Sequence, residues 1–150
     1  MIKTVFDLEV FNLSYIFAMD IFRVTRSFPK EERYSLTDQI VRSSRSVAAN
    51  IAEGFGRRTY ESEFKRHLVY AMGSLEETKV WLLFAKDCGY IKTEMYDSFC
   101  LKYDEIGAKL YKLFEHWKTF WKKELTIWLH TSDFIHQPLL HLLKHHHIAT

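Results

Sequence analysis

Apolar side chains recur every three or four residues along most of this chain, and that spacing describes one face of an α-helix. The series Phe6, Val10, Leu13, Phe17, Ile21, Val24, Phe28 runs up to Pro29, which predicts a first helix over about residues 5 to 28. Ser35 or Thr37 can cap a second helix with Leu36, Ile40, Ser44, Val47 and Ile51 on one side, bounded by Gly54 and Gly56 as helix stops. Thr59 is placed to cap a third, with Glu61 and Glu63 in its first turn against the helix dipole. That helix carries Phe64, Leu68, Ala71, Leu75, Thr78, Leu82 and Ala85 as far as about Cys88, and Gly89 follows as its C′ residue. Thr93-Glu94 opens a fourth with Tyr96, Phe99, Tyr103, Ile106, Leu110, Leu113, Trp117 and Phe120.

Four amphipathic helices with short connections pack most simply as an antiparallel up-down four-helix bundle, an all-α fold. With 5 Gly and 2 Pro in 150 residues the chain lacks the turn residues of a sandwich or barrel, and 47% hydrophobic content excludes a disordered class. The pattern assigns residues 1–123 to the bundle. Residues 124–150 form a His-rich C-terminal extension, holding six of the eight histidines. Cys88 and Cys100 make no CxxC pair, which fits a reducing, cytoplasmic setting. Asp7 and Glu9 break any export signal, and no apolar run approaches a membrane span.

Enzyme signatures are missing. No Glu-x-x-His occurs for a di-iron centre, nor His-Glu-x-x-His, a P-loop or Gly-x-Ser-x-Gly. Glu63 and His67, four apart, read as a surface pair on the third helix, and Glu76-Glu77 point about 100° apart, too far to share a substrate. His141 and His145 have the spacing of a metal-binding pair, but a His-rich tail also binds metals adventitiously. No cofactor is expected.

Cations cluster between residues 23 and 66: ten Lys and Arg against six acids, within a chain of formal net charge +2. Arginine dominates the cluster, and its fork suits phosphate oxygens. The candidate nucleic-acid contacts are Arg42, Arg45, Arg57, Arg58, Lys65 and Arg66, and the same residues also fit a solvated helix face with ordinary ion pairs. On the second helix Gln39, Ser46, Asn50 and Glu53 form a polar stripe beside the core seam, suited to an interface or to plain solvent exposure. Phe11, Tyr15, Tyr70, Trp81, Phe84, Tyr111, Phe114 and Trp121 fall outside the stripes, more apolar surface than one seam covers, and predict contacts between subunits.

Phe28-Pro29-Lys30-Glu31-Glu32-Arg33-Tyr34-Ser35-Leu36-Thr37-Asp38-Gln39-Ile40 and Ala49-Asn50-Ile51-Ala52-Glu53-Gly54-Phe55-Gly56-Arg57, followed by Gly73-Ser74-Leu75-Glu76-Glu77 and Gly89-Tyr90-Ile91, occur in order. Together they resemble the four-helix-bundle family encoded in intervening sequences of bacterial 23S ribosomal RNA genes, over about residues 5 to 122. The resemblance implies an up-down bundle assembled as a ring-shaped homopentamer without enzymatic activity. Arg42, Ser46, Asn50, Glu53 and Ser74 match the family's motif positions, to which no established chemistry attaches. More distantly, the chain is similar to the accessory variability protein of diversity-generating retroelements, which implies a basic pentamer that binds a reverse transcriptase and nucleic acid. Many members carry Ile-Pro where this chain has Val47-Ala48, so the second helix keeps a backbone donor and should be less kinked. The expected function is a non-enzymatic homo-oligomer that binds RNA, DNA or a nucleic-acid-processing protein through a basic surface. The alternative is a protein-interaction scaffold whose arginines serve subunit contacts.

Overall fold

The computed structural model describes residues 2–117, of which Ile2–Glu115 form one unit. Its centre is the third stripe: Phe64, Leu68, Ala71, Leu75, Thr78, Leu82 and Ala85 are each at most 2% exposed. Each of the larger apolar side chains there contributes roughly 1.5–3 kcal/mol by leaving water. The helices are α1 (Glu9–Thr25), α2 (Leu36–Gly56), α3 (Glu61–Asp87) and α4 (Thr93–Glu115). Around the bundle α2 packs most extensively on α3, while α1 lies on α2 and α4 closes against α3 and α1. Neighbours run antiparallel because the connections are short. The expected continuation of α4 through Phe120, Trp121 and the His-rich stretch 124–150, with its metal-binding spacing, lies outside the described residues.

The first helix starts later than the stripe predicts. The Asp7 carboxylate accepts the Lys3 and Thr4 backbone N–H groups, each at 2.8 Å, so Val5–Asp7 close a separate 3-10 turn before α1 begins. Those same bonds hold the Asp7 carboxyl below its ordinary value. Phe6 consequently points away from the seam and is 69% exposed.

On the inner side, Phe17 meets Tyr103 and Phe99 edge-to-face at 4.4 and 5.1 Å between ring centres, joining α1 to α4. Lys109 reaches Glu9 at 3.0 Å and Lys79 reaches Asp104 at 2.9 Å, each pair bridging neighbouring helices at the surface.

The α2–α3 contact is closer and more polar. Ser74 Oγ lies 3.0 Å from Ser46 Oγ, and Thr78 Oγ1 lies 2.9 Å from Ser43 Oγ. Small side chains let these two helices approach, and their hydroxyls satisfy one another in the seam. Gly54 belongs to this contact, which corrects its expected role as a helix stop. It is buried within α2, which continues to Gly56, and a Cβ there would sit 2.9 Å from His67 Cβ of α3. Gly89 does terminate α3 as expected: its φ is +78°, with Gly89 N–H donating to Lys86 O at 2.9 Å and Tyr90 N–H to Ala85 O at 2.8 Å.

Two expected caps also change. Ser35 occupies the N-cap of α2, but its hydroxyl makes no cap bond, because it donates to the Glu32 carboxylate. Tyr60, not Thr59, occupies the N-cap of α3, without a side-chain bond, while Glu61 and Glu63 do fall in the first turn.

Candidate nucleic-acid interface

Helix α1 ends at Thr25, short of the expected residue 28, because Ser27 and Phe28 close tighter turns onto Val24 O and Thr25 O; Pro29 then occupies the N-cap of a 3-10 turn, Lys30–Tyr34, which leads into α2. Glu32 anchors that turn. Its carboxylate accepts the Ser35 hydroxyl and the Leu36 N–H at 3.2 Å, and Tyr90 OH from the α3–α4 connection at 3.0 Å. Led by the Ser35 hydroxyl, these donors hold the Glu32 carboxyl below its ordinary value. Reciprocally, the bond to Glu32 pushes the Tyr90 phenol up. Phe28 is buried and packs against the Tyr90 ring, 5.4 Å between centres.

The anchored turn forms one side of a cleft of about 430 Å³ between the end of α1 and the first turns of α2. Phe22, Phe28, Pro29 and Val41 supply apolar lining, and Arg26, Lys30, Arg33 and Arg45 supply four cations. Among the described residues Asp38 is the one acid lining it, and it faces Arg42 at 3.6 Å. Among the described residues, none of the four cleft cations has a carboxylate within 4 Å. Instead, the Arg45 guanidinium lies over the Phe22 ring at 5.3 Å and that of Arg33 over Tyr34 at 5.5 Å.

The α2–α3 connection treats its cations differently. Arg57 pairs with Glu53 at 2.8 Å and Glu63 at 3.5 Å, Arg66 with Glu63, and Lys65 with Glu61 at 3.0 Å. Arg58 donates to Phe55 O at 3.0 Å, with its guanidinium 4.1 Å over the Phe55 ring. Of the six arginines and lysines predicted to contact nucleic acid, only Arg45 lines the cleft. Arg42, Arg57, Lys65 and Arg66 sit in ion pairs of the kind a solvated helix face makes.

The polar stripe on α2 divides in the same way. Ser46 and Asn50 are half-buried and bonded together, Asn50 Nδ2 donating to Ser46 O at 2.9 Å, and Ser46 turns to Ser74 of α3. Gln39 is exposed, and Glu53 joins the Arg57 network. The expectation that His67 forms a surface pair with Glu63 is overturned: the ring is buried beneath α2, 3.7 Å from Glu53 Oε1, and Glu63 pairs with arginines instead. Gly54 explains the burial, since it leaves room for the His67 side chain where α2 and α3 are closest.

Arg26, Lys30 and Arg33 are cleft residues that counting charge does not single out. A signal for them exists in the sequence. None has an acid three or four positions away, whereas Arg42, Arg57, Lys65 and Arg66 each do.

Fold and cleft together define an up-down four-helix bundle with a cationic cleft where its first two helices join. Residues 6–112 match the model of the 23S rRNA-intervening sequence protein family, and the chain belongs to that family. It is similar to the 1.70 Å crystal structure of a protein of unknown function from the S23 ribosomal protein family of Bacteroides thetaiotaomicron. The two are 28% identical, with a TM-score of 0.64, over 71% of this chain and 95% of that one. No curated protein matches. No helix among the described residues is long and apolar enough to cross a membrane.

Proposed function

We propose that this protein is a non-enzymatic homo-oligomer that binds the phosphate backbone of RNA or DNA with the cations at its α1–α2 junction. The observation that carries this reading is the four cleft cations, which have no acidic partner among the described residues. An arginine already held by a carboxylate must give up that pair to bind phosphate, whereas Arg26, Lys30, Arg33 and Arg45 need not.

Self-association is supported by α3, which is apolar on two sides. Opposite its buried seam, Val69, Tyr70, Val80, Leu83 and Phe84 are 39–53% exposed. Helices apolar all round are ordinarily covered on all sides. Light scattering at micromolar concentration should give a mass well above the 18.0 kDa of one chain; a monomeric mass would remove the oligomer from this reading.

Binding is tested by titrating a labelled oligonucleotide at several salt concentrations. Affinity should fall linearly on a log–log plot, because neutralised phosphates release counterions. Changing Arg26, Lys30, Arg33 and Arg45 together to Gln should flatten the slope by about 0.7–0.9 for each phosphate that is no longer neutralised. An unchanged slope in that variant, with binding retained, would put the phosphate contacts outside the cleft, and failure of the parent protein to bind at low salt would favour the scaffold alternative.

A further inference from the structure

The cleft holds more than charge, and we infer that it takes a nucleotide of a single strand in preference to a duplex. This inference rests on the phosphate-binding reading above and assigns the class of nucleic acid.

Its cations lie beside an apolar interior. Phe28 is 8% exposed and forms part of the lining with Val41, while Phe22, 37% exposed, and Pro29 flank it nearer to solvent. A surface that only tracked duplex phosphates would have no use for such a lining, because the bases of a duplex stay stacked inside it. A single strand can turn a base out of its stack, bury it against apolar walls and leave its phosphates to the surrounding cations.

The volume agrees. About 430 Å³ lies at the lower end of the range for small-ligand pockets and suits one nucleotide. The cations are also arranged for stacking. Arg45 lies over the Phe22 ring inside the cleft, and Arg33 lies over Tyr34, which is 86% exposed beside it. Guanidinium planes and aromatic rings are the two side-chain surfaces on which unpaired bases stack.

The test uses the full chain with labelled single strands, ribo and deoxy, of about a dozen nucleotides, and blunt duplexes of the same sequence. At equal salt the single strands should bind about tenfold tighter than the duplexes. Tyr34→Leu and Phe22→Leu, checked for native helix content by circular dichroism, should each weaken single-strand binding about fivefold or more. Neither should change the salt slope, since every phosphate keeps its cation. Tyr34 is exposed enough to be replaced without touching the core, so that variant stays informative even where Phe22→Leu disturbs packing. Equal or tighter duplex binding, or single-strand affinity indifferent to Tyr34→Leu, would overturn this inference and leave the phosphate-binding reading standing. Failure to bind either form at low salt would overturn both.

Discussion

The two inter-helix connections that flank α2 are built from similar residues to different ends. At the α2–α3 connection each of Arg57, Lys65 and Arg66 meets a carboxylate, and the helices close on each other at Gly54 and His67. At the α1–α2 junction a 3-10 turn pinned by Glu32 borders a cleft, and among the described residues Arg26, Lys30, Arg33 and Arg45 pair with no carboxylate. One connection neutralises its charge and buries its contact; the other leaves both open. The number of cations in a segment therefore says little about where an anion can bind.

The sharpest way to test the packed connection is Gly54→Ala. The new Cβ would lie 2.9 Å from His67 Cβ and 3.4 Å from Phe64 O, atoms close to or in the backbone that cannot swing aside. Overpacking of this kind costs about 1–3 kcal/mol, so denaturant unfolding should show a loss of that size. Oligonucleotide affinity measured well below the melting transition should be unaffected, because the cleft lies at the other end of α2. A neutral Gly54→Ala would show that α2 and α3 leave room for a methyl group at this point.

A smaller effect is expected at the open junction from Glu32→Gln, and its sign depends on pH. Glu32 is held below its ordinary value of 4.5, so its contribution is fully present above that value and disappears as pH falls through the lowered one. The variant should be less stable than the parent at pH 7, and the two should converge in acid. A stability difference that persisted unchanged at low pH would mean that the Ser35, Leu36 and Tyr90 contacts do not depend on the carboxylate's charge.

The smallest effect should come from replacing Arg57, Lys65 and Arg66 together with Gln. Exposed ion pairs of this type contribute about 0–1 kcal/mol each, and their removal should shift the binding salt slope far less than removal of the cleft cations. A comparable shift in slope would make both connections part of one binding surface and dissolve the contrast between them.

Part of that contrast was legible in the sequence. Arg57 follows Glu53 by four, Lys65 follows Glu61 by four and Arg66 follows Glu63 by three, spacings that bring side chains together on a helix. Arg26, Lys30, Arg33 and Arg45 have no such acid, so their availability could be read, though the charge balance over residues 23 to 66 conceals it. Their convergence could not. Arg45 joins the other three only because α2 packs beside α1 after the turn that Glu32 fixes, a relation set by contacts far apart in sequence.

His67 makes the same point from the interior. Four residues after Glu63, it looks like half of a surface pair, and only the approach of α2 at Gly54 buries it. Gly54 itself reads as a helix stop, since glycine both ends helices and lets them touch, and local sequence does not separate the two uses. Gly89 was readable because its work is local: a single left-handed residue turns the end of α3, whatever packs around it.

The sequence by itself determined the four helices, their buried stripes and the stop at Gly89, because helical periodicity and backbone restriction act within a few residues. Tertiary structure alone decided how closely α2 meets α3 and that four distant cations share one apolar cleft. Those outcomes depend on the distance and angle between packed helices, which the shapes of both contact faces set together and no single segment encodes.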